Sequence, residues 1–202
     1  VKGIILSGGP SSVYAKNAPK LDESIFDFEI PILGICYGMQ LIGLHFGGQV
    51  ESASHKEYGE TQALFVPNSP LFSGLPKQQI VWMSHGDAIS QLPSKFSETA
   101  HSENCPFVAF EHKQRPIFGI QFHPEVTHTE YGADILNNFL FAICYCQPNW
   151  TPQSYIENMT QTLQQQIGEE KVICGLSGGV DSTVAATLIQ KAVGDNLVCI
   201  FV

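Results

Sequence analysis

Short apolar runs alternate along the chain with segments of helical periodicity. Apolar residues at helical spacing occupy residues 39–46 and 133–146, which predicts two amphipathic helices. Interspersed strands and helices predict an α/β fold, a doubly wound and mostly parallel sheet with some antiparallel pairing at one side. Such sheets bind ligands at the carboxyl ends of their strands. The runs that predict strands are residues 3–6, 30–35, 50–66, 78–83, 106–110 and 117–122.

A polar segment with two prolines, residues 147–153, predicts a linker between a first domain at 1–146 and a second at 154–202. In the second region the pattern is strand, small-residue loop, helix and strand, which predicts one βαβ unit. The predicted elements are a helix over about 153–167, a strand at 171–176, a loop at 177–181, a helix at 182–193 and a strand at 197–202. Since the chain begins and stops inside strand-like runs, we expect a fragment whose two domains are both incomplete.

Cys36 lies in a Gly-x-Cys-x-Gly pattern, residues 34–38, between a strand-like run and a helical segment. This is the cysteine counterpart of the Gly-x-Ser-x-Gly nucleophile elbow. We expect the two glycines to permit a turn too tight for a β-carbon. We also expect the helix N-terminus to favour a thiolate at Cys36. The pattern predicts a cysteine nucleophile.

A thiol nucleophile needs a base, and the base needs a group that orients it. His123 follows a predicted core strand, and Glu125 comes two residues later, across Pro124. A histidine after a strand is structural more often than catalytic when it stands alone. With the cysteine elbow at another strand end and a glutamate to hold the imidazole tautomer, the three residues predict a Cys-His-Glu triad for acyl transfer.

Acyl transfer also needs backbone donors for the oxyanion of its tetrahedral intermediate. Gly8 and Gly9 follow the first predicted strand with amides free to approach a substrate, although a tight turn explains them equally well. The amide of Tyr37, directly after the nucleophile, is the second donor that we expect. Residues 82–87 are small and polar and predict a further loop, which by its own pattern is a surface turn.

Residues 177–182 read Ser-Gly-Gly-Val-Asp-Ser between a predicted strand and a predicted helix. Small residues there expose successive amides that form an anion nest with the helix N-terminus. Ser177 and Ser182 add hydroxyl donors, and Asp181 is placed to hold Mg²⁺ or to order the loop. The segment lacks the Gly-Lys-Ser/Thr of a Walker A loop. It predicts a second, phosphate-binding site.

Composition narrows the class of protein. The net charge of −9 and the lack of a Lys/Arg cluster exclude a general nucleic-acid-binding surface. The six cysteines are distributed unlike those of a small disulfide-rich secreted scaffold, so we expect reduced thiols. Neither a signal peptide nor an apolar span of membrane length is present, and we expect a cytoplasmic protein without a membrane partner.

Residues 34–40 and 123–125 together resemble the class I glutamine amidotransferase domain, and residues 177–182 resemble the pyrophosphate loop of N-type ATP pyrophosphatases. Their order, with residues 82–87 and 121–129, is similar to the glutamine-hydrolysing GMP synthase family. This resemblance covers essentially the whole chain. It implies a flavodoxin-like amidotransferase domain without its N-terminal part, followed by the first βαβ unit of a Rossmann-like ATP pyrophosphatase domain.

The resemblance also implies roles for individual residues. Cys36 would attack the side-chain amide of glutamine, His123 would act as general base and acid, and Glu125 would hold His123. Backbone amides of Gly9 and Tyr37 would form the oxyanion hole. The residues implied to grip glutamine are Gln40, Ser84, His85 and Gly86. Those implied to bind ATP, with Mg²⁺, are Ser177, Gly178, Gly179, Val180, Asp181 and Ser182. Asp181 remains the candidate metal ligand.

For the complete protein the resemblance implies ATP-dependent amination of XMP to GMP, no organic prosthetic group, and a homodimer formed through a C-terminal domain outside this chain. The residues leave two other functions open. One is a different enzyme, either the glutaminase part of another synthase or a cysteine hydrolase on a similar sheet. The other is a non-catalytic binding module. The phosphate loop disfavours the first, and the intact triad disfavours the second.

Overall fold

Among the residues that the structure describes, 1–66 and 68–202 with the backbone alone at 54 and 55, seven strands form one mixed sheet. The structure is a computed structural model. Across the sheet the strand order is β1-β2-β7-β6-β5-β3-β4. The strands are β1 (Ile4–Leu6), β2 (Ile32–Ile35), β3 (Gln49–Phe65), β4 (Gln78–Gln91), β5 (Phe96–His101), β6 (Ala109–His112) and β7 (Ile117–Ile120).

The sheet has a parallel and an antiparallel part. β1, β2 and β7 run parallel, with Leu6 opposite Gly34 and Ile35 opposite Ile120. β6, β5, β3 and β4 continue the sheet antiparallel. The predicted α/β class is confirmed. The antiparallel part expected at one side is larger than predicted. β5, β6 and β7 follow one another through connections too short for a crossover helix, so these neighbours are antiparallel.

Helices cover both faces of the parallel part. β2 and β7 are buried along their whole length, as expected for interior parallel strands. On one face Ile32 and Ile117 pack with Met39 and Ile42 of α1 (Tyr37–His45). The other face packs against α2 (Gly132–Asn137) and the π-helical segment that continues it (Asn138–Ile143). Its core includes Leu33, Phe118, Ile120, Ile135 and Phe139. The helix predicted over 133–146 is therefore two joined helical segments.

Short 3-10 helices supplement these elements at Glu23–Asp27, Pro70–Phe72 and Gly194–Asn196. None of the described helices is both long and apolar enough to cross a membrane.

The chain divides into two compact units, Val1–Cys146 and Gln147–Val202. The second unit contains α3 (Pro152–Ile167), β8 (Val172–Leu176), α4 (Val180–Val193) and β9 (Leu197–Phe201). β8 and β9 are parallel neighbours, which gives the predicted βαβ unit. A reciprocal capping box of Thr151 and Ser154 starts α3 at Pro152, so the last two residues of the predicted linker are helical.

Two predicted loops are wrong in extent. Residues 82–87 belong to β4, where burial alternates through Val81, Met83 and His85 and the strand pairs with β3. The polar residues and Gly86 suggested a turn, but pairing along the long β3–β4 ladder overrides that local preference. The loop predicted at 177–181 is shorter, because α4 already begins at Val180.

Candidate active site

Cys36 occupies a strained turn between β2 and α1. Its backbone has φ 49° and ψ −103°, in a region that non-glycine residues rarely adopt. Such a conformation costs roughly 1–3 kcal/mol and persists only where the surroundings impose it. Here the Cys36 amide donates to the carbonyl of Ile120 at 2.7 Å, which ties the turn to the end of β7. This is the backbone geometry of a nucleophile elbow.

The glycines flanking Cys36 provide space for close packing. A β-carbon on Gly38 would lie 2.1 Å from the Leu6 carbonyl oxygen, and one on Gly34 would lie 2.7 Å from the Gly38 carbonyl. Neither glycine has a positive φ, and the unusual conformation falls on Cys36 itself. The predicted connection between the glycines and the turn is therefore right, but their part is to let α1 approach β1 and β2.

His123 and Glu125 form an oriented pair beyond the end of β7. His123 Nδ1 lies 2.6 Å from Glu125 Oε1. The backbone of His123 is also fixed, because its amide donates to the Trp82 carbonyl at 3.0 Å and its carbonyl accepts from Thr129 Oγ1 at 2.6 Å. With the Nδ1 proton directed at the carboxylate, Nε2 is left as a proton acceptor.

The parallel strands bring Cys36 and His123 together. A β-carbon on Gly8, just after β1, would lie 2.8 Å from His123 Cε1 and 3.5 Å from Cys36 Cβ. All three residues follow the carboxyl ends of β1, β2 and β7, which are adjacent in the sheet. The end of the sheet predicted to bind ligand therefore holds a thiol, an imidazole and a carboxylate.

The Cys36 thiol is buried and protonated at neutral pH. Burial raises the pKa of Cys36 to about 11, and the Glu125 carboxylate acts in the same direction. Hydrogen bonds from the Tyr37 amide and the Gln121 side chain lower the pKa but do not outweigh burial. The N-terminus of α1 therefore acts in the expected direction, through the Tyr37 amide, but burial outweighs it in the free protein. A base must remove the thiol proton when the sulfur reacts, and His123 is the base at hand.

A cavity of about 370 Å³ lies beside Cys36, near the lower end of the roughly 300–1,000 Å³ common for small-molecule sites. Gly9 and Tyr37, the predicted oxyanion donors, both line it. Tyr37 is the first residue of α1, so its amide has no partner within the helix and is directed at the Cys36 sulfur. The full lining is Gly9, Pro10, Ser11, Ser12, Cys36, Tyr37, Gln40, Tyr58, Ser84, His85, Gly86 and Asp87.

The residues predicted to grip glutamine also line this cavity, although they come from a strand and not from a loop. β4 passes over the site, where the Cys36 sulfur lies 3.7 Å from the Ser84 carbonyl oxygen. Gln40 is buried and its Nε2 donates to the Asp87 carbonyl at 2.8 Å, which joins α1 to β4. Ser84, His85 and Gly86 follow one another along β4 at the cavity wall.

The predicted phosphate loop lies within the second unit, between β8 and α4. Gly178 has φ 76°, which favours glycine, and Ser177 Oγ lies 3.2 Å from Ser182 Oγ. The N-cap residue of α4 is Gly179, which has no side chain to accept from the first amides of the helix. These amides face solvent at the positive end of a 14-residue helix, an arrangement suited to a phosphate.

Asp181 is exposed in the first turn of α4. A carboxylate so close to a bound phosphate would repel it unless a cation lay between them. If the loop binds a phosphate, Asp181 is placed to hold Mg²⁺ beside it, and such a metal would neutralise phosphate charge.

Two known protein families match this chain, one over the region that contains Cys36 and the other over the region that contains the loop at residues 177–182. The model of the class I glutamine amidotransferase family matches residues 1–143. The chain belongs to the class I glutamine amidotransferase family. A second model, that of NAD synthase, matches residues 153–202 behind the amidotransferase region.

The curated relatives of this amidotransferase include longer proteins. It is 53% identical over 201 residues to the glutamine-hydrolyzing GMP synthase of Caldicellulosiruptor saccharolyticus and 50% identical to that of Bacillus cytotoxicus. The alignment covers 100% of this chain but only 39% of either relative.

Solved structures include one that is similar in sequence and one that is similar only in fold. A candidate GMP synthase subunit from Thermoplasma acidophilum is 42% identical with a TM-score of 0.62, over 78% of this chain and 76% of that one. A glutamine amidotransferase from Thermotoga maritima is 21% identical with a TM-score of 0.52, over 93% of this chain and 69% of that one, and shares the fold.

Sequence reasoning missed a buried cluster behind the amidotransferase cavity. His85 is only 4% exposed, and its Nε2 lies 3.3 Å from a carboxylate oxygen of buried Glu57. Burial lowers the pKa of His85, opposed by Glu57. Cys105 adds a sulfur, so that the three potential ligand atoms lie within 4.8 Å of one another. Burial raises the pKa of Cys105 to about 12, which disfavours the thiolate that metals bind. Burial thus favours an uncharged imidazole at His85 and an uncharged thiol at Cys105, and the Glu57 carboxylate faces the imidazole at 3.3 Å.

The amidotransferase unit has a larger cavity, of about 750 Å³, at the other end of β2 and β7, beside Pro31 and Pro116. Its cations are engaged with backbone carbonyls, since Lys2 Nζ donates to Tyr145 and Arg115 donates to Phe26. Among the described residues that line it, His112 is not oriented by a carboxylate, because its Nδ1 accepts from the backbone amides of Gln114 and Arg115. The smaller cavity is therefore the candidate active site, on the chemistry of its residues.

Proposed function

We propose that this chain comprises the glutamine-hydrolysing part and the first ATP-binding unit of a GMP synthase. The observation that carries the proposal is the pairing of two sites in one chain, an elbow thiol with an oriented imidazole and a small-residue loop at a helix N-terminus. The relatives that match the whole chain at 50% identity or more bear the name GMP synthase. No other function that the residues leave open needs both sites.

Glutamine would lie in the cavity lined by Gln40 and the Ser84 to Gly86 segment of β4, with its side-chain amide at Cys36. The thiol proton passes to His123 as the sulfur attacks the amide carbon. The amides of Gly9 and Tyr37 then face the oxyanion that develops. His123 returns the proton to the leaving nitrogen, ammonia departs, and a γ-glutamyl thioester remains.

Water completes glutamine hydrolysis. His123 removes a proton from the water as its oxygen attacks the thioester carbon, and the C–S bond breaks with its electron pair returning to sulfur. Glutamate leaves, and the proton on His123 restores the Cys36 thiol. Glu125 keeps the Nδ1 proton in place throughout, so that Nε2 alternates between base and acid.

The second unit would bind ATP with its phosphates on residues 177–182 and Mg²⁺ at Asp181. In the proposed reaction XMP is adenylated, and ammonia from the first site displaces AMP to give GMP. The six unpaired thiols of the chain support a cytoplasmic location. We further propose that the complete protein is a homodimer with no organic prosthetic group, as the resemblance to GMP synthases implies.

The test uses the protein expressed from its complete gene and measures XMP-dependent AMP release with glutamine or with ammonium. We expect Cys36→Ala to abolish the glutamine-dependent reaction and to leave the ammonium-dependent reaction intact. Cys146→Ala, a half-buried thiol away from the site, is the matched control and should keep both. A folded Cys36→Ala protein that loses both activities would contradict the assignment of two sites.

The phosphate loop has its own test in the same assay. Asp181→Ala should impair the reaction with either nitrogen source, because activation of XMP precedes the attack of ammonia. Asp195→Ala, at the other end of α4, provides the control. If Asp181→Ala adenylates XMP at the wild-type rate, the nucleotide site lies elsewhere.

A further inference from the structure

Gln121 is a buried polar residue that contacts the nucleophile and has no role in the mechanism above. It lies directly after β7 and is 0% exposed. Its Nε2 donates to the Cys36 sulfur at 3.5 Å. Its Oε1 is buried and, among the residues that the structure describes, has no hydrogen-bond partner. A buried amide that is only half satisfied needs an explanation beyond packing.

The backbone holds Gln121 and Cys36 in fixed relation. Ile35 and Ile120, the residues that precede them, are paired across β2 and β7. The Cys36 amide donates to Ile120 at 2.7 Å, and the Gln121 amide donates to Val108 at 2.8 Å. The side-chain amide of Gln121 therefore reaches the sulfur from a rigid strand end, which is the arrangement expected of a preorganised group.

Two polar contacts of the sulfur, with the Ser84 carbonyl and the Gln121 side chain, respond in opposite ways when the thiol ionises. The neutral thiol donates to the Ser84 carbonyl at 3.7 Å and accepts from Gln121. Once the thiol has lost its proton, the Ser84 carbonyl oxygen faces a negatively charged sulfur, and their repulsion opposes ionisation. The N–H of Gln121 instead becomes a charge-assisted donor, roughly twice as strong as a neutral one. Gln121 thus favours the thiolate over the thiol.

We propose that Gln121 is a further catalytic residue, whose side-chain amide stabilises the Cys36 sulfur as it becomes negative. That charge develops twice: when the proton passes to His123 as the sulfur attacks the amide carbon, and when the C–S bond of the thioester breaks and its electron pair returns to sulfur. One hydrogen bond therefore assists both halves of the reaction. The inference rests on the glutamine hydrolysis proposed above, in a site where burial holds the thiol neutral.

The test begins with Gln121→Met, which keeps the length of the side chain but removes the N–H donor and the unsatisfied oxygen. Iodoacetamide alkylation is followed for each cysteine by peptide mass spectrometry in the protein from the complete gene, without glutamine, between pH 7 and 9. Only the thiolate reacts. Loss of the donor should raise the Cys36 pKa by about one unit and so slow its alkylation about tenfold. Exposed Cys199 is the internal control and should react at an unchanged rate.

Glutamine hydrolysis by the same variant should show kcat lowered about tenfold with KM nearly unchanged, because Gln121 contacts the sulfur and does not line the cavity. A purely structural role predicts lower stability with a normal rate of Cys36 alkylation, and that result would overturn the proposal. So would a change confined to KM. If Gln121→Met does not fold, Gln121→Asn keeps an amide but withdraws it by one methylene, and the same slowing is expected.

The outcome separates this inference from the proposed function. A wild-type protein that hydrolyses no glutamine contradicts the proposed function, whereas slower alkylation of Cys36 in Gln121→Met still supports the hydrogen bond. Glutamine hydrolysis at full kcat in Gln121→Met overturns the inference and leaves the function standing.

Discussion

Gly38→Ala is expected to damage the active site through packing alone, without removing any group that takes part in the chemistry. The new methyl carbon would lie 2.1 Å from the carbonyl oxygen of Leu6 and 2.6 Å from its Cβ. A carbon and an oxygen in contact normally stay about 3.3 Å or more apart. Since the obstacle is β1 backbone and not a flexible side chain, α1 and β1 must separate by about 1 Å to relieve the overlap.

The size of the effect follows from that displacement. Forcing an extra carbon into a packed core destabilises a protein by about 1–3 kcal/mol. Cys36 precedes Gly38 by two residues at the start of α1, so it moves with the helix. A misplacement of about 1 Å at a reacting atom lowers activity on the order of 100-fold. We therefore expect a folded but weakened protein with kcat/KM for glutamine hydrolysis reduced by about two orders of magnitude.

The assay is release of glutamate from glutamine, with equilibrium urea unfolding on the same samples. Gly175→Ala makes the same substitution in β8, where the new carbon would meet only Val202 at 3.7 Å, an ordinary contact. It should leave glutamine hydrolysis unchanged. If Gly38→Ala hydrolyses glutamine at the wild-type rate with undiminished stability, then the close approach of α1 to β1 does not position the nucleophile, and the reasoning is refuted.

Two further predictions concern titratable groups. Glu125→Gln should lower kcat for glutamine hydrolysis about 10–100-fold, because His123 loses the carboxylate that fixes its tautomer. Since the Glu125 side chain is 49% exposed, urea unfolding should show little change in stability. A large loss of stability with normal kcat would contradict this role. The lowered pKa of buried His85 means that the unfolded chain takes up its proton near pH 6.5 while the folded protein does not, so stability should fall as pH drops below about 6.5. In urea unfolding at pH 7.5 and 5.5, His85→Gln should therefore lose less stability between the two pH values than wild type does, while the contribution of His112 remains in both proteins. An equal loss would show that His85 is protonated in the fold.

Local patterns were sufficient for several parts of this molecule. The alternation of apolar runs and helical segments predicted the α/β class because burial on both faces of β2 and β7 demands continuous apolar strands. The sequence pattern predicted the elbow at Cys36 because all its parts follow one another directly in sequence. These parts are a strand, a cysteine with a glycine two residues away on either side, and a helix. The loop at residues 177–182 was also predicted from its pattern, because its strand, its small residues and its helix are contiguous in sequence.

Features that depend on contacts between residues far apart in the chain could not be predicted from the sequence. Residues 82–87 form part of β4 only because β3 is their partner, and their polar composition concealed this. Glu57 and Gln121 carry no pattern of their own, and the single signal for Gln121 was its place two residues before His123. The helix N-terminus that favours a thiolate at Cys36 could be read from the sequence because it is a local feature, whereas the burial that outweighs it and raises the pKa of the thiol depends on the whole fold.

The order of residue types along this chain was enough to identify its family and to propose Cys36 as nucleophile with His123 and Glu125 to serve it, because these groups belong to short continuous segments. Whether those segments meet, how buried the sulfur is, and which further groups touch it depend on β1, β2, β7 and β4 converging from distant parts of the chain. That convergence is set by the packing of the whole sheet, and the protonation state of Cys36 and the contact with Gln121 follow from it.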